Sequence, residues 1–259
     1  MKILIFVNQK GGVGKSLLSY HLPHYLIERD KRVLFADGDT QGNSSSSLAQ
    51  YVRSNLCASQ LFSNAPIDLS SCTENIVVLR GDAALTQIEA TERSDVELVA
   101  TVRARLAEIA GGFDFAVIDT AGANSRVANA LLVASDYAVV PTKIDQYSID
   151  VSGEMLKRIA FIRENWNPAL INLGILANEF DSRQPEQVRV IKQLLGAFST
   201  TMIPAYVSDR SAYREASAAG VPVWRLKAPG EDRPKTSVRE AGIEIKAVFK
   251  TLMERMEAP

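Results

Sequence analysis

The chain has few cysteines and no long apolar segment. Its two thiols, Cys57 and Cys72, lie fifteen residues apart without a CxxC pair, so neither a disulfide framework nor a thiolate metal site is indicated. No run approaches the roughly 20 apolar residues that cross a bilayer, and the opening "KILIFV" is too short for a signal peptide. These absences predict a soluble, cytoplasmic protein.

The chain also lacks a strong net charge. The formal charge is −1, with 16 basic and 20 acidic side chains in residues 1–180 and 13 basic and 10 acidic side chains in residues 181–259. An asymmetry this small is typical of an ordinary solvated surface and does not by itself indicate a nucleic-acid partner. A content of 46% apolar residues is enough for a substantial core.

Short, nearly all-apolar runs alternate with segments of helical periodicity. Runs of this kind are typical of strands buried on both faces, and their alternation with helices favours a parallel sheet. We therefore predict an α/β fold, a mostly parallel sheet with helices on both faces, as one domain over residues 1–259. We expect a loop from Leu226 to Ser237 and a last helix near residues 238–256. The predicted strands are "KILIFVN", "RVLFAD", "NIVVLRG", "FDFAVIDT", "DYAVVPT", "INLGILAN" and "TTMIPAYV".

The segment "QKGGVGKS" follows the first predicted strand and precedes a helix. Glycines let consecutive amide groups turn inward, and a helix N-terminus adds positive charge, so this segment suits a di- or triphosphate. Lys15 is expected to reach the β and γ phosphates, and the Ser16 hydroxyl is a ligand for Mg²⁺. The usual pattern GxxxxGK(S/T) needs glycine where the chain has Gln9, so the form is KGGxGK(S/T). The expected nucleotide contacts are Lys10, Gly11, Gly12, Val13, Gly14, Lys15, Ser16 and Leu17.

This form of the motif resembles the deviant Walker A loop of the ParA/MinD ATPases, which have a P-loop NTPase fold. The resemblance spans Met1 to about Pro222, and the "IP…R…EA…G.P" spacing after Ile203 is closest to the ParA chromosome and plasmid partition branch. It implies that Lys10 is a signature lysine that reaches the ATP held by a second subunit. The implied assembly is therefore an ATP-dependent homodimer.

Three carboxylates follow predicted strands, where ligands of open α/β sheets bind. By the resemblance, Asp39 in "DGDTQGN" orients the attacking water, and Asp37 supports Mg²⁺ and its water shell. Asp119 ends a run of four apolar residues, as in a Walker B strand, and serves Mg²⁺. The following Thr120, Ala121 and Gly122 resemble the second switch.

Two residues further along are candidates for the base site. In the family, an asparagine and a residue near a proline contact adenine, which by resemblance implicates Asn178 at a strand end and Pro204 just after another strand. A side-chain amide can both donate to and accept from adenine's edge, and an NKxD guanine motif is absent. ATP is therefore expected rather than GTP.

The favoured function is a ParA-type ATPase, associated with the nucleoid, that partitions DNA or positions cargo. The resemblance implies nonspecific DNA binding by the ATP dimer and hydrolysis stimulated by a ParB-like or other small partner. We expect no helix-turn-helix extension before the first strand. The basic side chains proposed to face phosphates are Arg189, Lys192, Arg210, Arg214, Arg225 and Lys227.

Three alternatives belong to other classes. A MinD-like membrane-surface ATPase would use the apolar stripe of the last helix, but "MERMEAP" lacks a basic face. An iron–sulfur relative would need cysteines near its dimer axis, and the two thiols are far from both switches. A small-molecule kinase or ligase shows no second-substrate motif. His21 and His24 flank Pro23, which is expected to kink or shorten its helix, and this pair has no third metal ligand in view.

Overall fold

Parallel strands form a single eight-stranded sheet in the computed structural model, which describes residues 1–122, 125–227 and 234–258. The strands are β1 Lys2–Phe6, β2 Val33–Gly38, β3 Val52–Cys57, β4 Ile76–Arg80, β5 Phe115–Thr120, β6 Tyr137–Lys143, β7 Ile171–Phe180 and β8 Met202–Ser208. Their order across the sheet is β3-β4-β2-β5-β1-β6-β7-β8, and all neighbours pair in parallel. The predicted fold class is confirmed.

One strand, β3, was missed from the sequence. Half of its residues, "VRSNLC", are polar, and most are only partly buried or exposed, because β3 lies at one edge of the sheet. The seven predicted strands were found because their side chains are buried on both faces of the sheet. Pro204 was expected just after a strand but lies inside β8, whose free edge needs no amide hydrogen there.

Helices cover both faces of the sheet. The described helices are α1 Lys15–Ile27, α2 Asn43–Ser47, α3 Leu85–Glu89, α4 Asp95–Ile109, α5 Arg126–Val133, α6 Ser148–Asn165, α7 Pro185–Phe198, α8 Ser211–Ala218 and α9 Thr236–Glu257. The buried side chains of α1, α8 and α9 form one hydrophobic cluster, and those of α3 to α7 form another. Along β1, Leu4 and Phe6 join the first cluster, whereas Ile5 and Val7 join the second, as a two-residue side-chain period requires.

The apolar stripe of α9 belongs to the protein core. Ile245, Val248, Phe249, Leu252 and Met256 are all at most 5% exposed and pack into the cluster of α1 and α8. The stripe therefore offers no apolar face to a membrane surface, and no described helix combines the length and hydropathy of a membrane span. Residues 228–233 of the expected loop from Leu226 to Ser237 lie outside the described residues.

Helix α1 continues across Pro23 and buries two histidines. His21 and His24 are at most 2% exposed. The His21 Nδ1 atom lies 2.8 Å from the Leu17 carbonyl oxygen, while His21 Nε2 and both ring nitrogens of His24 have no partner among the described residues. Burial lowers the pKa of His21 to about 3 and that of His24 to about 4, where nearby Arg225 also lowers it and Glu28 opposes the shift. Both histidines are therefore neutral core residues, and the described residues contain no cluster of three metal-ligating side chains.

The buried histidines make the fold sensitive to acid. Below pH ~6.5 the histidines of the unfolded chain bind protons, whereas buried His24 in the folded chain stays neutral. The free energy of unfolding therefore falls as the pH is lowered. His24→Phe removes this effect for one histidine and is expected to retain about 2 kcal/mol more stability than the parent on going from pH 7.5 to pH 5. Urea unfolding at the two pH values measures the difference. Tyr20→Phe, a substitution in contact with the same ring, should keep the parent's pH dependence, and equal dependence in all three proteins would contradict the assignment.

Candidate phosphate-binding site

The glycine-rich loop joins β1 to α1 near the middle of the sheet. Strand β1 lies between β5 and β6, where the chain changes the side on which it adds strands, and ligands of open α/β sheets bind at such switch points. Gly12 and Gly14 have φ values of 69° and 89°, which are unfavourable for residues other than glycine. A Cβ atom on Gly14 would also lie 2.0 Å from Asn178 Nδ2. The loop therefore needs glycine at position 14 for both conformation and space.

The N-terminus of α1 is open to an anion. Its N-cap residue Gly14 provides no side-chain cap, and the first turn contains no acidic residue. The first amide groups of a helix lack partners within the helix and carry the positive end of its dipole. The described geometry is that of an anion site.

Lys15 brings a buried cation to this site. Its side chain is on a residue only 5% exposed, and Nζ donates a hydrogen bond to the Lys10 carbonyl oxygen at 3.1 Å. Burial lowers the pKa of Lys15, while Asp119 and Asp39 act in the opposite direction. A desolvated ammonium group is stabilised by a nearby anion, so its surroundings fit the phosphates of a nucleotide.

Asp37 and Asp119 lie side by side at the ends of β2 and β5. They are paired residues in the parallel ladder, and both are fully buried. Burial and the neighbouring Asp119 raise the pKa of Asp37 to about 6, although the backbone amide and hydroxyl of Ser45 each donate to its carboxylate at 2.8 Å. Two adjacent buried carboxylates favour a cation close by, because a positive charge offsets their repulsion.

Hydroxyl groups surround the second carboxylate. Ser44 donates to Asp119 Oδ2, and Ser19 donates to Oδ1 at 3.2 Å. Burial nevertheless raises the pKa of Asp119, against the effects of Ser44, Ser16 and Lys15. The structure thus brings the predicted Mg²⁺ residues Ser16, Asp37 and Asp119 together. The contributions of Ser19, Ser44 and Ser45 were missed, although the polar run "GNSSSS" after Asp39 was a signal for Ser44 and Ser45.

Asp39 follows β2 and remains half-buried. Its amide donates to Asp37 Oδ1 at 3.1 Å, and its own Oδ1 accepts a hydrogen bond from the Gln41 amide at 2.9 Å. The turn is supported by Gly81, where a Cβ atom would lie 2.2 Å from the Asp39 carbonyl oxygen. The turn places Asp39 next to the buried pair of Asp37 and Asp119, but Asp39 itself remains partly exposed to solvent.

The segment after β5 contacts the phosphate loop directly. A Cβ atom on Gly122 would lie 2.9 Å from Gly11 Cα, so the two glycines allow close backbone contact. The Thr120 hydroxyl donates to the Phe6 carbonyl oxygen at 3.1 Å and fixes the start of this segment. All three residues of the predicted second switch are described, whereas residues 123 and 124, which follow it, lie outside the described residues.

Lys10 contacts its own chain. Its ammonium group forms an ion pair with Asp145, and it lies 5.9 Å from the centroid of the Tyr147 ring. Asp145 sits in the turn after β6, where its Oδ1 accepts a hydrogen bond from the Tyr147 amide at 3.0 Å and its amide donates to Ser148 Oγ. No sequence signal connected Asp145 with Lys10, because 135 residues separate them.

The two predicted base-site residues occupy different places. Asn178 is fully buried against the loop, and its Nδ2 donates to the Val13 carbonyl oxygen at 2.9 Å, while its Oδ1 has no partner among the described residues. Pro204 is exposed on β8 and lines a cavity of about 440 Å³ with Phe180 and Tyr206. None of the described residues lining that cavity belongs to the phosphate loop. Asn178 thus contacts the phosphate loop, whereas Pro204 lies at a cavity that the loop does not line, and its contact with adenine stays a prediction.

Most of the proposed DNA-facing cations are paired within the chain. Arg210 is the most restricted, because its side chain is only 27% exposed. Lys192 and Lys227 are exposed and have no ion pair with a described residue. The intrachain pairs are Arg189 with Glu186, Arg210 with Glu240 and Glu244, Arg214 with Asp209, and Arg225 with Glu28.

Comparison with known proteins agrees with this geometry. Residues 1–172 match a family model described as an AAA domain. An IncC protein of Escherichia coli is 34% identical over 268 residues, which cover 99% of this chain and 70% of IncC. The chromosome partitioning protein ParA of Myxococcus xanthus is 26% identical over 88% of this chain and 83% of that protein.

A solved structure shows the same fold. An McdA variant of Cyanothece in complex with ATP superimposes with a TM-score of 0.81 at 18% identity, covering 100% of this chain and 97% of that chain. At this identity the likeness concerns the fold alone. The family model matches two thirds of this chain, and the identity with IncC extends over 99% of this chain. These two findings show that this chain belongs to the ParA-type partition ATPases.

Proposed function

We propose that this chain is an ATP-dependent, dimerising switch that binds DNA without sequence preference and partitions plasmid or chromosome DNA, or positions another cargo. Hydrolysis is stimulated by a ParB-like or other small partner protein, and the DNA-bound form is associated with the nucleoid. One observation carries the proposal. Buried Lys15 and the buried pair of Asp37 and Asp119 converge on a helix N-terminus that has no cap of its own.

The described residues fit magnesium and ATP. Lys15 and the amide groups of the loop hold the β and γ phosphates, while Ser16, Asp37 and Asp119 hold Mg²⁺ directly or through water. The unpartnered Asn178 Oδ1 is an acceptor suited to the amino group of adenine. When bound, Mg²⁺ neutralises phosphate charge and favours transfer of the terminal phosphoryl group.

Asp39 has the role of orienting water. Its carboxylate is half-buried beside the acidic pair and accepts a hydrogen bond from the Gln41 amide, so it is held in place and accessible to solvent. Asp37 and Asp119 are enclosed by serine hydroxyls and serve charge balance instead. The three carboxylates therefore divide their roles by burial.

Lys10 links nucleotide to dimerisation. In the single chain its charge is balanced by Asp145, in an ion pair whose side chains are about one third exposed. In the dimer Lys10 exchanges this contact for the nucleotide of the second subunit. Dimerisation then requires a nucleotide, because without its phosphates the contact with Asp145 is the better one.

DNA binding uses the exposed cations. Arg214 is 70% exposed and has only a 3.4 Å contact with Asp209, and Lys192 and Lys227 are exposed. We remove Arg210 from the proposed contact surface, because Glu240 and Glu244 hold it in the fold. Contacts with phosphates release counterions and carry no sequence information.

The two loop lysines give the sharpest test of the nucleotide switch. Lys15→Ala is expected to lose nucleotide affinity itself. Lys10→Ala should bind ATP as a monomer, because each of two symmetric sites loses a contact worth about 1.5–3 kcal/mol, which weakens the dimer by about two to four powers of ten. Light scattering with a nonhydrolysable ATP analogue measures the molecular mass of both variants and so separates monomer from dimer.

A matched control comes from the residue opposite Lys10. Asp145→Asn keeps an oxygen for the Tyr147 amide but removes the competing charge, so it should strengthen analogue-dependent dimerisation by up to about 1 kcal/mol for each ion pair lost. A stable dimer of Lys10→Ala with bound analogue would show that Lys10 is only a turn residue.

Asp39→Ala tests the division among the carboxylates. We expect it to bind ATP and dimerise as the parent does, while hydrolysis is lost, because Lys15, Ser16 and the buried pair remain. Nucleotide binding by equilibrium dialysis and phosphate release are measured together. The parent should turn over ATP far more slowly than the ~10 per second of an ordinary enzyme, and a fast parent would favour a metabolic enzyme on the same fold. Loss of binding in Asp39→Ala would make it a binding residue.

Salt dependence tests the DNA proposal. With the ATP analogue, the parent should bind duplexes of unrelated sequence equally, with an affinity that falls steeply as salt rises. Replacing Lys192 and Arg214 with alanine is expected to weaken binding to all duplexes and reduce the salt slope by roughly one per lost phosphate contact. Lys157→Ala on α6, also exposed, is the control. Binding to one sequence only, or a slope unchanged by the double variant, would count against the proposal.

A further inference from the structure

A second cavity lies between α4, α5 and α6, on the face of the sheet opposite α1. Its volume is about 430 Å³. This volume is within the range of small-molecule sites, and the lining is mostly apolar, as in such sites. The apolar lining comes from Leu98, Val99, Ala130, Val133, Phe161, Ile162 and Trp166.

One cation in this cavity, Arg158, has no partner among the described residues. Arg158 of α6 lines the cavity, is half-buried, and forms no hydrogen bond or ion pair with a described residue. Burial lowers its pKa, and no carboxylate acts in the opposite direction. A guanidinium placed among apolar side chains loses hydration and is stabilised when an anion enters.

The other charged groups of the cavity are already satisfied. Arg126 donates to Asp95 at 2.7 Å and to the Thr91 carbonyl oxygen at 2.7 Å. Asp95 is therefore engaged by its own partner and does not neutralise Arg158. Because Asp95 and Arg126 balance each other, the lining has one net positive charge, that of Arg158, which matches a singly charged anion better than a phosphate ester.

We propose that this cavity binds a small amphiphilic monocarboxylate, with the carboxylate on Arg158 and the apolar body against Leu98, Ile162 and Trp166. The two oxygens of a carboxylate match the planar fork of a guanidinium. The apolar walls account for the rest of the ligand, because burial of each methylene group contributes about 0.8 kcal/mol. The cavity borders the phosphate loop, because Gln9, next to Lys10, also lines it.

The chain contains its own reporter for this site. Its two tryptophans are Trp166 and Trp224, so Trp224→Phe leaves Trp166 as the only source of tryptophan fluorescence. In that background, decanoate is titrated as the carboxylate probe and decanol as its uncharged counterpart. Saturable changes in Trp166 emission give both affinities.

Three substitutions separate charge from packing. Arg158→Leu is expected to weaken decanoate binding about tenfold or more while decanol binding is unchanged, because a hydrogen bond to a charged group contributes about 1.5–3 kcal/mol. Arg163→Leu, an exposed position of the same helix outside the cavity lining, should bind both probes like the parent. Phe161→Ser changes a side chain that is 57% exposed, so folding is retained. It should weaken the binding of both decanoate and decanol.

The outcomes are distinct. Preference for decanoate that disappears in Arg158→Leu and persists in Arg163→Leu supports the site. Absence of a saturable change in the parent, equal affinity for both probes, or an equal effect of Arg158→Leu and Arg163→Leu would overturn it. None of these results depends on nucleotide binding or DNA binding.

Discussion

The burial of Asp37 and Asp119 side by side is the constraint on which the rest of this site depends. The two carboxylates are paired across β2 and β5 and have no access to water. Burial and their mutual repulsion raise the pKa of Asp37 to about 6. Serine hydroxyls and the ammonium of Lys15 reduce that repulsion, but a bound cation is needed to remove it. The site is thus most stable when occupied, which is the property that a nucleotide-dependent switch requires.

The same reasoning explains the state of Lys10. A single chain without phosphates near the loop has one acidic partner for this lysine, Asp145, and the pair forms across the turn after β6. Arg210 and Arg225 are likewise held by acidic residues of their own chain. Among the described residues, twelve lysine and arginine side chains form ion pairs with acidic residues. Four of the six cations predicted from the sequence to face DNA are among them.

The sequence predicted the parts of the structure whose cause is local. The loop, the seven strands buried on both faces and the three carboxylates at strand ends each follow from short patterns, since glycine, apolar runs and terminal aspartates act within a few residues. Strand β3 was missed because an edge strand buries little and is not selected for apolar residues. Asp145 and Ser44 were missed because their contacts with Lys10 and Asp119 depend on how distant segments pack. Pro204 was misplaced because the end of β8 lies four residues further on.

The most direct test of the account is the mass of the parent protein in solution as a function of nucleotide. Sedimentation equilibrium is measured with Mg²⁺ and no nucleotide, with ADP, and with a nonhydrolysable ATP analogue. The account predicts a monomer in the first two conditions and a mass twice as large with the analogue. The same mass in all three conditions, whether monomer or dimer, would contradict the claim that phosphates at the loop control assembly.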